Sequence, residues 1–372
     1  MVVEELHELL YPKKSENGYQ KKYNGQSQIT EFSLEDLEKD RVDSDTDVPD
    51  PIPSIYVGGK IFCCKGEFGV LGGKQKAGKS SVLVQFAASA LIKDTPDKID
   101  RNPISCSYAQ NKPVIYIDTE MGKSKTKAFY RQVQKFLGID QKIPQLLTYS
   151  LSEHFTSAER LNRFKSILKH YNDAHLWLID HYADFGSGVN NEEASNEQLQ
   201  WLNALAKKMD TTFILVMHEN PGSSDKLRGH LGSEGLRKAS GILGIVKDKK
   251  HRVHKIECRD LRHDEDFEAI IMEWDKARGR LVPVSSDKAE EVRRDNPEEQ
   301  EKEELRSLAK RCLLDGSERI KYGRLVDRIL NHAPSVINES ISESAAKRRV
   351  KKMKEYGIIG KDEEGNYRLC SS

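Results

Sequence analysis

The 372-residue sequence contains no Cys-x-x-Cys pair, no excess of charge of either sign, and no run approaching the 18 or so apolar residues that a membrane-spanning helix needs. The last absence excludes a transmembrane helix. Six cysteines (63, 64, 106, 258, 312 and 370) fall at no zinc-ligand spacing, so a reduced, cytoplasmic protein is expected. Lys and Arg total 60 against 59 Asp and Glu, a formal charge of +1. That balance excludes a wholly basic coat protein and an acidic solvating chain. Residues 1–10 carry three glutamates where a signal peptide needs positive charge followed by an apolar run. No tandem repeat of solenoid period is present. At roughly 150 residues per domain the length corresponds to two or three domains.

Composition changes along the chain. Residues 1–48 hold twelve Asp/Glu against six Lys/Arg. The acids and prolines of residues 43–53 disfavour both helix and central strand, so a flexible acidic lead-in is expected, with a short helix over 34–39. Residues 49–284 alternate strand-length apolar runs with helix-length stretches, the signature of an α/β sheet. Strands are expected at 68–71, 114–117, 176–179, 213–217 and 242–246, and helices at 79–92 and 196–209. Residues 285–303 have almost no apolar side chains and read as a charged linker, partly helical. Periodicity returns over 304–372, with helices expected near 304–314, 321–331 and 342–356 before a hairpin-like tail.

One motif is specific. Gly73-Lys74-Gln75-Lys76-Ala77-Gly78-Lys79-Ser80 satisfies G-x-x-x-x-G-K-[ST], between a strand-like run and an apolar helical run starting at Ser81. Glycines let the backbone curl so that several N–H groups face one anion. The following helix N-terminus adds its dipole at the same place. Residues 73–81 are therefore expected to cradle ATP, with Lys79 reaching the β- and γ-phosphates and the Ser80 hydroxyl ligating Mg²⁺.

Such a site needs a second carboxylate on the metal side and a group that orients the attacking water. Asp180 ends the apolar run 175–179 and suits the first role. No glutamate follows it, so the catalytic carboxylate is expected at Glu120, just past the strand at 114–117. Asp118 is expected to support by hydrogen bonding.

In order and spacing these motifs resemble the RecA-like ATPases, in particular the branch of RepA-type plasmid helicases and DnaB-like replicative helicases, over residues 50–284. The resemblance implies a RecA-like P-loop core with a mostly parallel twisted sheet, and a polar sensor at the end of the strand after Asp180, matched by His218. It implies a homo-oligomer, a hexamer favoured, in which a cation from a late strand enters the neighbour's site. Arg259 and Arg262 are the candidates, spaced three rather than two, with Arg259 slightly favoured. It further implies that segments 184–198 and 220–238 face a channel for single-stranded DNA. The second is the better match, through Lys226, Arg228 and His230, although neither segment has an aromatic for base stacking.

Residues 304–372 look like a winged helix. The helix at 343–356 carries six bases against two glutamates, with Ala345, Val350 and Met353 expected inward. Lys347, Arg348 and Lys351 are expected to contact duplex DNA. The function expected from these features is an ATP-hydrolysing DNA helicase or translocase of plasmid or mobile-element replication or mobilisation. The alternative is a DNA-binding regulator switched by nucleotide, which hydrolyses ATP slowly and unwinds nothing.

Overall fold

Apolar runs too short for helices and bounded by Gly or polar residues form strands buried on both faces. The computed structural model describes residues 33–93, 102–186, 192–220, 227–295, 297–313 and 319–370. The chain divides into two units, Met1–Pro283 and Val284–Ser372. No helix among the described residues is long and apolar enough to cross a membrane.

The first unit begins with a one-turn helix, α1 (Leu34–Glu38), capped by Ser33. Strands β1 (Pro53–Val57) and β2 (Lys60–Cys64) lead to β3 (Phe68–Gly73), after which the phosphate-loop motif opens α2 (Lys79–Ala90). Then come β4 (Ile104–Cys106), β5 (Val114–Asp118), α3 (Lys123–Leu137), β6 (Leu146–Ser150), α4 (Ser157–His170) and β7 (Leu176–Asp180). A 3₁₀ turn at Tyr182–Phe185, α5 (Glu192–Met209), β8 (Thr212–His218) and α6 (Gly229–Lys238) follow. Four strands close the unit: β9 (Gly241–Asp248), β10 (Val253–Leu261), β11 (Ile270–Asp275) and β12 (Arg280–Pro283).

Nine strands make one sheet in the order β12-β11-β10-β9-β3-β8-β7-β5-β6. The six from β9 to β6 run parallel and the last three in sequence return antiparallel. Strands β2-β1-β4 form a separate small sheet. Successive side chains of a strand face opposite layers. Val114, Tyr116, Leu176 and Leu178 accordingly pack with Phe86 and Phe129 on one face. Ile115, Ile117, Trp177 and Ile179 pack with Phe164 and Leu202 on the other. This is a three-layer α/β core.

Two segments differ from their expected loops. In segment 184–198, residues 184 and 185 end a 3₁₀ turn and residues 192–198 begin α5, while 187–191 lie outside the described residues. Segment 220–238 is mainly helix α6, and Lys226 lies outside the described residues. The glycines that read as loop residues are contact residues instead. A Cβ on Gly232 would collide with the backbone of Leu227, and one on Gly235 would press Met217 at 3.2 Å. Their absence of side chain lets a helix lie close against the sheet.

In the second unit, residues 285–303 carry α7 (Ser286–Arg294) and the first part of α8 (Pro297–Cys312), where a charged linker was expected. Ser285 caps α7, an Arg294–Glu290 pair spans one of its turns, and Val292 is its one buried residue. The unit continues with α9 (Tyr322–Val336), α10 (Glu343–Glu355) and the antiparallel hairpin β13 (Ile359–Lys361) and β14 (Tyr367–Leu369). Ile320 adds a bridge to Tyr367 on the other side of β14. Leu308, Leu325, Ile329, Val350, Met353 and Tyr367 share the core. The inward stripe of α10 is Ala346, Val350 and Met353, not the expected Ala345, because positions i, i+4 and i+7 align on one face.

That register gives a sharp contrast. Ala346→Lys, which buries an ammonium, should cost about 3 kcal/mol or more. Ala345→Lys should cost less than about 1 kcal/mol. Thermal unfolding followed by circular dichroism separates the two; a larger loss for Ala345→Lys would place the stripe one residue earlier.

Candidate nucleotide site

Parallel register carries the carboxyl ends of β3, β8, β7 and β5 to one edge of the sheet. Gly73 pairs with His218, and Asp180 with Asp118. The loop between β3 and α2 curls through positive φ at Lys76 (60°) and Gly78 (106°). Lys76 adopts the left-handed conformation despite its side chain, a local strain of the kind found at ligand-binding turns. Gly78 has a second reason to be glycine, since a Cβ there would stand 2.8 Å from His254 Nδ1. His254, from β10, donates to the Ala77 carbonyl at 2.7 Å and props the loop from behind.

Lys79 is almost fully buried. Its ammonium donates to the Gly73 and Lys74 carbonyls at 2.7 and 2.9 Å and lies 3.2 Å from His218 Nδ1. Burial pushes the Lys79 ammonium below its usual value, against the opposing pull of Asp180, Glu219 and Glu120. The network assigns the His218 tautomer: Nδ1 accepts from Lys79, and Nε2–H is directed at Glu120 Oε2, 3.5 Å away. Burial first, then the Lys79 and His181 charges, hold His218 below the ordinary imidazole value.

Asp180 accepts from the Ser80 hydroxyl at 2.8 Å and from the Tyr116 hydroxyl at 3.0 Å, both on Oδ2. Burial raises its carboxyl above the usual range, with those two hydrogen bonds opposing. The residues fit Mg²⁺. Both are hard oxygen donors, and 2.8 Å approximates the edge of an octahedron with bonds of about 2.0–2.1 Å.

Asp118 is fully buried. It accepts from the Glu120 and Met121 amides at 3.0 and 2.8 Å and from the Thr126 hydroxyl at 2.8 Å. The turn that carries Glu120 is thereby fixed, while the Glu120 side chain itself stays 44 % exposed. Thr119 locks the adjacent turn by donating to Asp184 at 2.8 Å. His181, at φ 78°, has its ring 4.5 Å from that of His218, tilted by 46°, and pairs with Asp184. Tyr116, Thr119, His181 and His254 were not singled out from sequence. Each lies within a few residues of a motif position or on a strand whose neighbours only the sheet order reveals.

The structure thus brings Lys79, Ser80, Glu120, Asp180 and His218 together. Arg228 joins them: it caps α6, its amide donates to the His218 carbonyl at 2.8 Å, and with His181, Asp184 and His218 it lines a cavity of about 200 Å³. His230 is exposed on α6.

The two arginines are elsewhere. Arg259 turns inward, its side chain 12 % exposed, and pairs at 2.5 Å with Glu219, which is 2 % exposed. It reaches Glu219 across β9 and β3 because Gly244 and Gly72 leave room; a Cβ on Gly244 would collide with the guanidinium. Arg259 is therefore committed to a partner in its own chain in this conformation, unlike the expected trans-acting group. Arg262 is exposed, donates to the Arg237 carbonyl at 3.2 Å, and lies at the sheet end opposite the loop, where its amide binds the Ser240 carbonyl. On α10, Lys347 and Lys351 pair with Glu343 and Glu355, and Arg348 is exposed.

A family model described as an AAA domain matches residues 31–224, just over half of the chain. The chain belongs to the AAA domain family. The match spans β1 to β8 and so contains every residue of the cluster just described except Arg228 and His254. Among solved structures, the chain is similar to a KaiC-like protein, PH0186, from the hyperthermophilic archaeon Pyrococcus horikoshii OT3, at 18 % identity and TM-score 0.42, covering 60 % of this chain and 91 % of that one. No curated protein matches the sequence. Membership makes the chain a P-loop ATPase, binding nucleotide in the usual company of Mg²⁺.

Two measurements test the electrostatics of this AAA domain. Removing one member of a buried pair strands the other, so Arg259→Met should cost about 3–5 kcal/mol, and adding Glu219→Met should recover much of it. A loss under about 1 kcal/mol in denaturant unfolding would contradict a buried pair. For His218, a folded value below the unfolded 6.5 means that the folded state binds fewer protons on the acid side. Stability should therefore fall as pH drops from about 6.5 and level off below the folded value. His218→Asn should flatten this part of the melting-temperature profile; parallel profiles would show that the imidazole is not held neutral.

Proposed function

We propose that this AAA-domain ATPase is a DNA helicase or translocase of the RecA-like, RepA and DnaB type, working as a homo-oligomeric ring with a hexamer favoured. The observation that carries the reading is the convergence of Lys79, Ser80, Asp180, Glu120 and His218 at one sheet edge, in the order the RecA-like resemblance implies. In this reading, residues 73–81 cradle the triphosphate of ATP, and Lys79 moves from the loop carbonyls to the β- and γ-phosphates. Ser80 and Asp180 hold Mg²⁺, which neutralises phosphate charge. Glu120 orients the attacking water, and His218 registers the γ-phosphate through its contacts with Lys79 and Glu120. Arg262 is the better placed of the two arginines to meet a neighbouring subunit, because Arg259 is spent on Glu219.

A DNA partner is supported by the second unit. Its last three helices, α8 to α10, followed by a hairpin, with Ile320 bridging Tyr367 as a third strand, have the make-up of a winged helix. Its third helix, α10, carries exposed Lys347, Arg348 and Lys351, suited to the phosphates of a duplex. Arg228 and His230 would face single-stranded DNA beside the nucleotide site, so that a change at His218 reaches the strand through the Arg228–His218 backbone bond. Service in plasmid or mobile-element replication or mobilisation belongs to the same reading.

The test is ATP turnover with and without single-stranded DNA, with sizing in ATP. Turnover should rise with single strands and a ring should form. Glu120→Gln should bind ATP yet hydrolyse it at least about a hundredfold more slowly. Slow, strand-independent turnover with nucleotide-dependent duplex binding would replace the helicase with a nucleotide-switched regulator. Retained turnover in Glu120→Gln would move the base elsewhere.

A further inference from the structure

Helix α3 is the most one-signed element of the fold. Its fifteen residues include Lys123, Lys125, Lys127, Arg131 and Lys135 and no acid. Thr126, Phe129 and Val133 face inward, so the cations are left on the outer faces. Lys123, Lys127 and Arg131 line one side of a cleft of about 520 Å³, with Tyr149 and Thr148 of β6 on the other. Spaced four residues apart, these cations follow one another at about 6 Å along the helix axis. Beyond β6, Glu153 pairs with Lys123 at 2.8 Å, and two residues later Phe155 stands 97 % exposed.

A row of cations, with a bare aromatic ring two residues beyond the partner of its first member, fits a flexible polyanion whose repeating units carry flat faces. We infer that this cleft binds single-stranded nucleic acid, its phosphates along Lys123, Lys127 and Arg131 and a base stacked on Phe155. A duplex keeps its bases stacked inside and offers Phe155 none. The inference rests on the reading of a DNA-acting ATPase for the identity of the strand, and places a contact outside segments 184–198 and 220–238.

The cleft also adjoins the chemistry. Thr126, on the buried face of the same helix, donates to Asp118 Oδ2, while Asp118 Oδ1 holds the amides of Glu120 and Met121. Phe129 stacks at 3.7 Å on Tyr116, the donor to Asp180. A strand that draws α3 outward or presses it inward would therefore bear on the hydrogen bonds of Asp118 and the packing of Tyr116.

The experiment uses the full chain and fluorescent oligothymidylate, with oligouridylate as a second arm and anionic vesicles as a third, in anisotropy or co-sedimentation across a salt series. Lys127→Gln/Arg131→Gln should weaken strand binding at least tenfold at moderate salt. It should also make the log–log salt slope shallower by about 1.4, two phosphates at about 0.7 each. Lys127→Arg/Arg131→Lys should keep both near wild type. Phe155→Ala should cost about fivefold or more, and the emission of Phe155→Trp should be quenched as the oligonucleotide binds. The single variant Lys127→Gln, at an exposed position, should give half the slope change and serves if the double variant does not fold. Binding unchanged in both the neutral and the Phe155 variants overturns the cleft and leaves a channel contact standing. An unchanged slope in the neutral variants overturns it too, as does binding to vesicles in preference to strands. Absence of any strand binding by the wild-type chain removes both the cleft and the DNA reading.

Discussion

The parallel pairing of β3 with β8, β8 with β7, and β7 with β5 is the constraint on which everything else depends. Parallel register aligns strand ends, and a residue just past each end has no ladder partner and faces the same edge. Gly73 meets His218 in that register, and Asp118 meets Asp180. A shift of one residue in any of these pairings would also exchange the two faces of a strand. Trp177 and Phe213 pack in one layer while Leu178 and Ile214 pack in the other, so such a slip would misplace both cores at once. Core packing thus holds the site in alignment, and the polar cluster needs no stability of its own.

That cluster is in fact electrostatically costly. A buried ammonium at Lys79 and a buried carboxyl at Asp180 are each displaced toward their neutral forms. Both are cases where bound ligand supplies what the protein alone does not: phosphate charge for the first, a divalent cation for the second. Charge is distributed unevenly over the chain in the same spirit. The first 48 residues carry −6, whereas α3 carries +5 and α10 +4. The total of +1 is an average over unlike parts. A near-neutral protein cannot coat a polyanion at large; it restricts contact to the helices where one sign prevails.

The nucleotide loop, its strand and its helix were legible in sequence because each part of the motif is a local requirement. Asp180, Glu120 and His218 were legible for a related reason: Asp180 and His218 are polar residues ending apolar runs, and Glu120 follows such a run by a short turn. Glu219 and Arg259 were not, since their pairing depends on Gly72 and Gly244, which lie on strands adjacent only in the folded sheet. A charged pair 40 residues apart leaves no periodic trace. Segment 220–238 misled for the opposite reason. Three glycines in ten residues signal a loop by propensity, yet the close approach of α6 to Leu227 and Met217 overrides a cost of roughly 1 kcal/mol per glycine. The basic pattern of α3 is as plain in sequence as that of α10. It acquires meaning only from position, three residues beyond Glu120 and opposite β6.

Asp118 shows how a turn just past a strand can hold an exposed carboxylate that the strand itself could not. A strand residue is held by its ladder and moves only with the sheet, which the two cores make rigid. Glu120 lies two residues past β5, where its amide hangs from Asp118 Oδ1 and its carboxylate remains exposed. The other oxygen of the same carboxylate is held by Thr126 on α3. One buried side chain therefore ties the turn to the helix, and a rigid sheet to both. Displacement of α3 bears on the Asp118 side chain through the Thr126 hydroxyl, and through that side chain on the amides of the turn that carries Glu120. The arrangement links a basic surface helix to the position of the Glu120 carboxylate through one buried side chain, and the phosphate-loop backbone takes no part in that link.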